Sequence, residues 1–118
     1  MKGLRIDVDL DVMVGSVITQ VCFGGFHFTL HFDKDIRLTV ESDCELIMRS
    51  GVTTRIDDYR IESTRLCGLI GAQISAADRD ASGGLILRFK SADVLHIMNS
   101  KVAYESFQLH VGSKVYVA

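Results

Sequence analysis

Two histidines four residues apart, His27 and His31, are the first residues in the chain whose types and spacing invite chemistry. On a helix, imidazoles at i and i+4 stand one above the other and can grip a single zinc ion, as in H-E-x-x-H. Here Phe28 occupies the position where that motif needs its glutamate. The surrounding FHFTLHF alternates apolar with polar residues, which is the period of a strand. On a strand, residues four apart are separated by roughly 13 Å, too far for ligands that must each approach one metal to ~2 Å.

Asp7, Asp9 and Asp11 form the D-x-D-x-D opening of a calcium loop, but its sixth and twelfth positions hold Val12 and Ile18 instead of Gly and Glu. They read as the solvated face of a strand. Gly15-Ser16, Ser82-Gly83 and Gly112-Ser113 stand at turns or strand entries, with no G-x-S-x-G around a nucleophile. Gly83-Gly84 leads into a strand and not into the helix a phosphate loop requires. Cys22, Cys44 and Cys67 are odd in number and lack C-x-x-C spacing, so three reduced thiols packing as small hydrophobes are expected. No catalytic set, cofactor or metal is expected from these residues. Asp57-Asp58-Tyr59-Arg60 is the most polar stretch outside the regular segments and reads as a loop able to carry binding residues.

The elements that must position these side chains come from a chain of 118 residues, 47% apolar and 24% charged, with a net charge of −2. That length fits one domain, residues 1–118. Thirteen basic residues spread along a slightly acidic chain make no basic face, so no nucleic-acid partner is expected. No apolar run reaches the ~18 residues of a membrane span, and three aspartates interrupt the first fifteen residues. No membrane association and a cytoplasmic location are expected. Proline is absent, so turns fall to Gly, Asp, Asn and Ser.

LRIDVDLDV, residues 4–12, alternates without a miss and predicts a first strand. Residues 17–23, 26–32 and 36–42 follow as an antiparallel meander joined through Gly24-Gly25 and Asp33-Lys34-Asp35. The second half repeats the first. Gly15 aligns with Gly71, Ile18 with Ile74, Leu30 with Leu87, Phe32 with Phe89, Leu38 with Leu95 and Val40 with Ile97. An internal duplication of a three-stranded unit, residues 15–43 and 71–99, follows. Between them, residues 44–70 read as a linker, with Cys44–Met48 extending a strand and one short helix before Gly71. Residues 104–118 close the chain as a hairpin around Gly112-Ser113. The expected fold is mainly β: two three-stranded meanders forming a sandwich or partly open barrel, with Phe28, Leu30, Phe32, Leu38, Val40, Leu85, Leu87, Phe89, Leu95 and Ile97 in its core.

The Gly15, Ile18, Val21 pattern, followed by Phe28, Leu30, Phe32 and then Leu38, Val40, Glu41, resembles a family of small bacterial domains of unknown function. So does a second block ending in Tyr104-Glu105-Ser106-Phe107-Gln108, where the family usually has Trp in place of Phe107. The resemblance covers about residues 12 to 110 and implies no catalytic residues. Small orphan proteins of this type are similar to the cargo of mobile gene cassettes and to immunity partners of bacterial toxins.

The expected function is a noncatalytic binding or protein-interaction module. The polar outer side of the first unit, His27, Thr29, His31, Arg37 and Glu41, is the expected partner surface. Ile86, Val94 and Met98 make the outer side of the second unit apolar, and self-association as a dimer is expected there, with the linker helix as the other possible cover. The alternative is a small ligand-binding protein or hydrolytic enzyme with a site assembled from His27, His31 and acidic neighbours.

Overall fold

The computed structural model describes residues 9–24, 27–56, 63–98 and 107–117. Ten strands run through them: β1 (Ile18–Phe23), β2 (Phe28–Phe32), β3 (Ile36–Val40), β4 (Cys44–Ile47), β5 (Thr53–Ile56), β6 (Ile74–Arg79), β7 (Leu85–Phe89), β8 (Val94–Ile97), β9 (Phe107–Val111) and β10 (Lys114–Val117). A five-residue helix, α1 (Ser63–Cys67), stands between β5 and β6. The strands form two five-stranded antiparallel sheets, ordered β1-β2-β3-β9-β10 and β5-β4-β8-β7-β6, and the barrel is not closed. The mainly β reading holds.

Alternation decides which side of each strand is buried. Phe28, Leu30 and Phe32 on β2, Leu38 and Val40 on β3, Leu85, Leu87 and Phe89 on β7, and Leu95 and Ile97 on β8 all belong to one core cluster shared by both sheets. These are the ten core residues read from the sequence. Phe107 and Leu109 on β9 and Cys44 and Leu46 on β4 complete that layer.

The two meanders superpose in detail. Both carry an irregularity one residue into the first strand, Ile18/Gln20 and Ile74/Ala76, at the same register against Phe32/His31 and Phe89/Arg88. Gly15 and Gly71 have φ of 87° and 91°, a conformation that costs a residue with a Cβ but not glycine. Their amides bond reciprocally across the molecule, Gly15 to the carbonyl of Ile74 and Gly71 to that of Ile18, each at 2.8 Å. Val17 and Gln73, equivalent by the repeat, bridge the two halves between them.

The repeat is larger than a meander. The stretch after the first meander supplies the hairpin β4–β5, and β4 pairs with β8 in the second sheet, Cys44 opposite Ile97 and Leu46 opposite Leu95. The hairpin β9–β10 pairs with β3 in the first sheet in the same register, Phe107 opposite Val40 and Leu109 opposite Leu38. Each half is therefore a five-stranded unit whose last hairpin completes the sheet of the other half.

One expectation is corrected. In the described part of residues 4–12, the predicted strand gives way to a 3-10 turn, Leu10–Met13, capped by Asp9, whose side chain accepts from the Asp11 amide at 3.0 Å. Leu10 and Met13, three apart, are buried while Val12 is exposed, so the turn and not the strand period decides which residues enter the core. The repeat supplies the reason: Leu66 and Leu69, 56 residues on, are buried in the same way at the end of α1. Residues 1–8 lie outside the described chain.

Candidate functional site

On the first sheet the outward positions fall into two rows that cross all five strands. One row is Gln20, His31, Arg37, His110 and Val115. The next is Cys22, Thr29, Thr39, Gln108 and Val117. None of these ten residues is acidic. Directly opposite residues on antiparallel strands bring their Cβ atoms to about 4.5–5.5 Å, so His31, Arg37 and His110 form one group.

Arg37 is exposed, and its Nη2 donates to Nδ1 of His110 at 3.3 Å. That bond assigns the neutral tautomer with its proton on Nε2, which reaches Gln108 Oε1 at 3.4 Å. Burial first, and then the positive charge of Arg37, hold His110 below the ordinary histidine range. A bond between Thr29 Oγ1 and Thr39 Oγ1, 3.1 Å, ties the second row together. A shallow concavity of about 190 Å³ opens beside the first row, lined by His31, Asp35, Arg37, His110 and Gly112 among others. The Gly112 amide donates to the Asp35 carbonyl at 2.9 Å, which holds the β2–β3 turn against the β9–β10 turn.

The expected partner residues are thus only partly brought together. Thr29, His31 and Arg37 share the rows. Glu41 is exposed, one residue past the end of β3. His27 precedes β2 and its ring lies over Gly24, where an added Cβ would come within 2.3 Å of it. His110 was not among the expected residues. It stands on β9, more than seventy residues from Arg37 in sequence, and only the placement of β9 beside β3 joins them. The alternation of FQLHV, read together with the repeat, is the signal that carries it.

The outer side of the second sheet has a different chemistry. Its rows are Asp78, Ile86, His96, Glu45, Arg55 and Ala76, Arg88, Val94, Ile47, Thr53. Ile86, Val94 and Met98 are half-buried there. The apolar residues alternate with charged ones, because β4 and β5 of the other half bring Glu45 and Arg55 onto this side. Helix α1 packs against β1.

Within these rows Arg88 stands 3.8 Å from Asp78, Arg55 2.7 Å from Asp43, and His96 2.6 Å from Asp80. Asp80 also accepts from the amides of Ser82 and Gly84 at 2.8 and 2.7 Å. Burial pushes its carboxyl upward, but the His96 hydrogen bond, the Gly84 and Ser82 amides and the His96 charge together hold it below the usual carboxylate range. The result is a clamped turn between β6 and β7.

Among the described residues, no three His, Cys, Asp or Glu converge to hold a metal ion. No helix among them is long and apolar enough to cross a membrane. The Asp57–Arg60 candidate lies outside the described residues.

Residues 9–118 match the model of a family of unknown function, DUF6188, and the chain belongs to that family. No curated protein and no solved structure matches it.

Proposed function

We propose that this member of the DUF6188 family is a noncatalytic protein-recognition module that meets its partner through the outer face of the first sheet. One contrast carries the reading. Ten paired outer positions on that sheet hold Arg37, His31 and His110 without an acidic residue, whereas in the outer rows of the second sheet Arg55, Arg88 and His96 each stand against a carboxylate. An unneutralised polar row beside a concavity favours a complementary partner. A hydrolase built on His27 and His31 has less support: the His27 ring lies over Gly24, and His96, which does bond a carboxylate, spends that bond closing a turn.

The second sheet is assigned to self-association. Val94 lies opposite Ile47, with Ile86 on the neighbouring strand, and a second copy covering them makes a dimer. A bacterial, cytoplasmic role as an accessory or immunity partner, of the kind carried by mobile gene cassettes, is supported by the sequence resemblance alone; a toxin gene adjoining this one would bear it out.

The test of the recognition face places a photo-crosslinking residue at Gln20 or at Thr53, both exposed edge positions on the outer sides of the first and second sheets. Expressed in its native host, the protein should give a heterologous adduct from position 20 and none from position 53. Heterologous adducts from position 53 alone would move the partner to the other sheet.

A further inference from the structure

We propose that the concavity between the β2–β3 and β9–β10 turns takes a single carboxylate of the partner, an aspartate or glutamate side chain of an acidic segment, on Arg37 and His31. The assignment rests on the first sheet being the recognition face and names the chemistry that face reads.

The duplication supplies an internal control. In the second half the position of His31 is taken by Arg88, that of Arg37 by Val94 and that of His110 by Ile47. Arg88 has Asp78 beside it, and the position equivalent to Asp78 in the first half is Cys22. One scaffold therefore occurs twice, once with its cation neutralised from within and once with the acid absent. In the first half the guanidinium of Arg37 donates to the uncharged Nδ1 of His110, leaving most of its N–H groups for something else. The His31 side chain makes no hydrogen bond among the described residues, and Lys34, in the adjacent turn, is occupied by the Val14 carbonyl at 3.0 Å.

The shape and charge of the opening select the anion. Among the described residues, Arg37 is the sole permanent cation lining it, and Asp35 stands on the same lining without an ion pair to Arg37. A dianion such as phosphate would face one positive and one negative charge. A single carboxylate matches the planar fork of a guanidinium and gains a second donor from the His31 ring. About 190 Å³ accommodates a carboxylate and its methylene stem. The Thr29 and Thr39 hydroxyls in the neighbouring row then offer hydrogen bonds to the backbone of the segment that carries it.

The experiment is an NMR titration of the intact, ¹⁵N-labelled protein with three probes: acetyl-Gly-Glu-Gly-amide, its Gln counterpart and inorganic phosphate. The Glu peptide should bind at least tenfold more tightly than the Gln peptide, with saturable shifts at Arg37, His110 and Gly112. Arg37→Gln should abolish the tenfold preference while the spectrum stays dispersed, because Arg37 is exposed on the outer side of the sheet. Equal affinity for the two peptides, an unchanged preference in Arg37→Gln, or tighter binding of phosphate than of the Glu peptide would overturn the assignment. Failure here is separable from failure of the recognition face. Adducts from position 20 that persist with no preference for Glu refute the carboxylate site and leave the face. A preference for Glu without those adducts refutes the face as the partner surface.

Discussion

His96 Nε2 lies 2.6 Å from Oδ2 of Asp80, sixteen residues away, and the contact closes the β6–β7 turn onto the neighbouring strand β8. Both groups are largely withdrawn from water, at 29% and 19% side-chain exposure. Two backbone amides, of Ser82 and Gly84, donate to the other carboxylate oxygen, so three hydrogen bonds converge on Asp80.

Removing that carboxylate should destabilise the fold. A hydrogen bond to a charged group contributes about 1.5–3 kcal/mol, so Asp80→Ala is expected to cost about 2–3 kcal/mol in urea unfolding at pH 7. The native carboxyl sits below its ordinary value of 3.8. Its contribution is therefore fully present above pH ~3.8 and is lost as pH falls through the lower native value. The gap between wild type and Asp80→Ala should narrow below pH 4; a gap independent of pH there would contradict this origin.

Gly84 is required by the same clamp. A Cβ on it would stand 2.5 Å from Asp80 Oδ2 and 2.6 Å from the Ile97 carbonyl oxygen. The carboxylate can swing aside, but the backbone of β8 cannot, so Gly84→Ala should cost more than about 2 kcal/mol. Combining it with Asp80→Ala should not restore stability, because the Ile97 contact remains. Thermal unfolding of the single and double variants decides the point.

His110 should titrate below the ordinary histidine range in the wild type. Burial is the larger cause and Arg37 the smaller, so Arg37→Gln should raise the midpoint only part of the way back. Imidazole proton shifts followed between pH 4 and 8 measure it. Full recovery would make the charge of Arg37, and not burial, the dominant cause.

The three thiols should separate by environment. Burial, and then the charges of Asp43 and Glu45, push Cys44 up to about 12, while Cys67 is exposed and Cys22 half-buried. At pH 8, iodoacetamide should label Cys67 first, Cys22 next, and Cys44 only on unfolding. Mass spectrometry of the native protein reads this directly.

The exchanged hairpins predict that two half-chains complement each other. Fragments 1–59 and 60–118, expressed together, should copurify, because β3 gains β9 and β8 gains β4 only across the cut. Fragment 1–59 alone should show no cooperative unfolding transition. Independent folding of either fragment would mean that each hairpin can pair within its own half.

The sequence by itself determined the strands, because alternation is a local property: Phe28, Leu30 and Phe32 point one way on any pleated strand, and a core exists wherever such sides can meet. It also determined the repeat, since Gly15 and Gly71 mark the same left-handed entry in both halves. What alternation does not encode is which strands become neighbours. Pairing β9 with β3 and β4 with β8 depends on how two apolar layers close over each other, a contact between residues up to seventy or more positions apart. That choice gave Arg37 its His110, set Glu45 opposite His96, and left the first sheet without an internal acid. Packing against β6 likewise favours a 3-10 turn over a strand at Leu10–Met13, because burying Leu10 and Met13 together needs a spacing of three where a strand offers two.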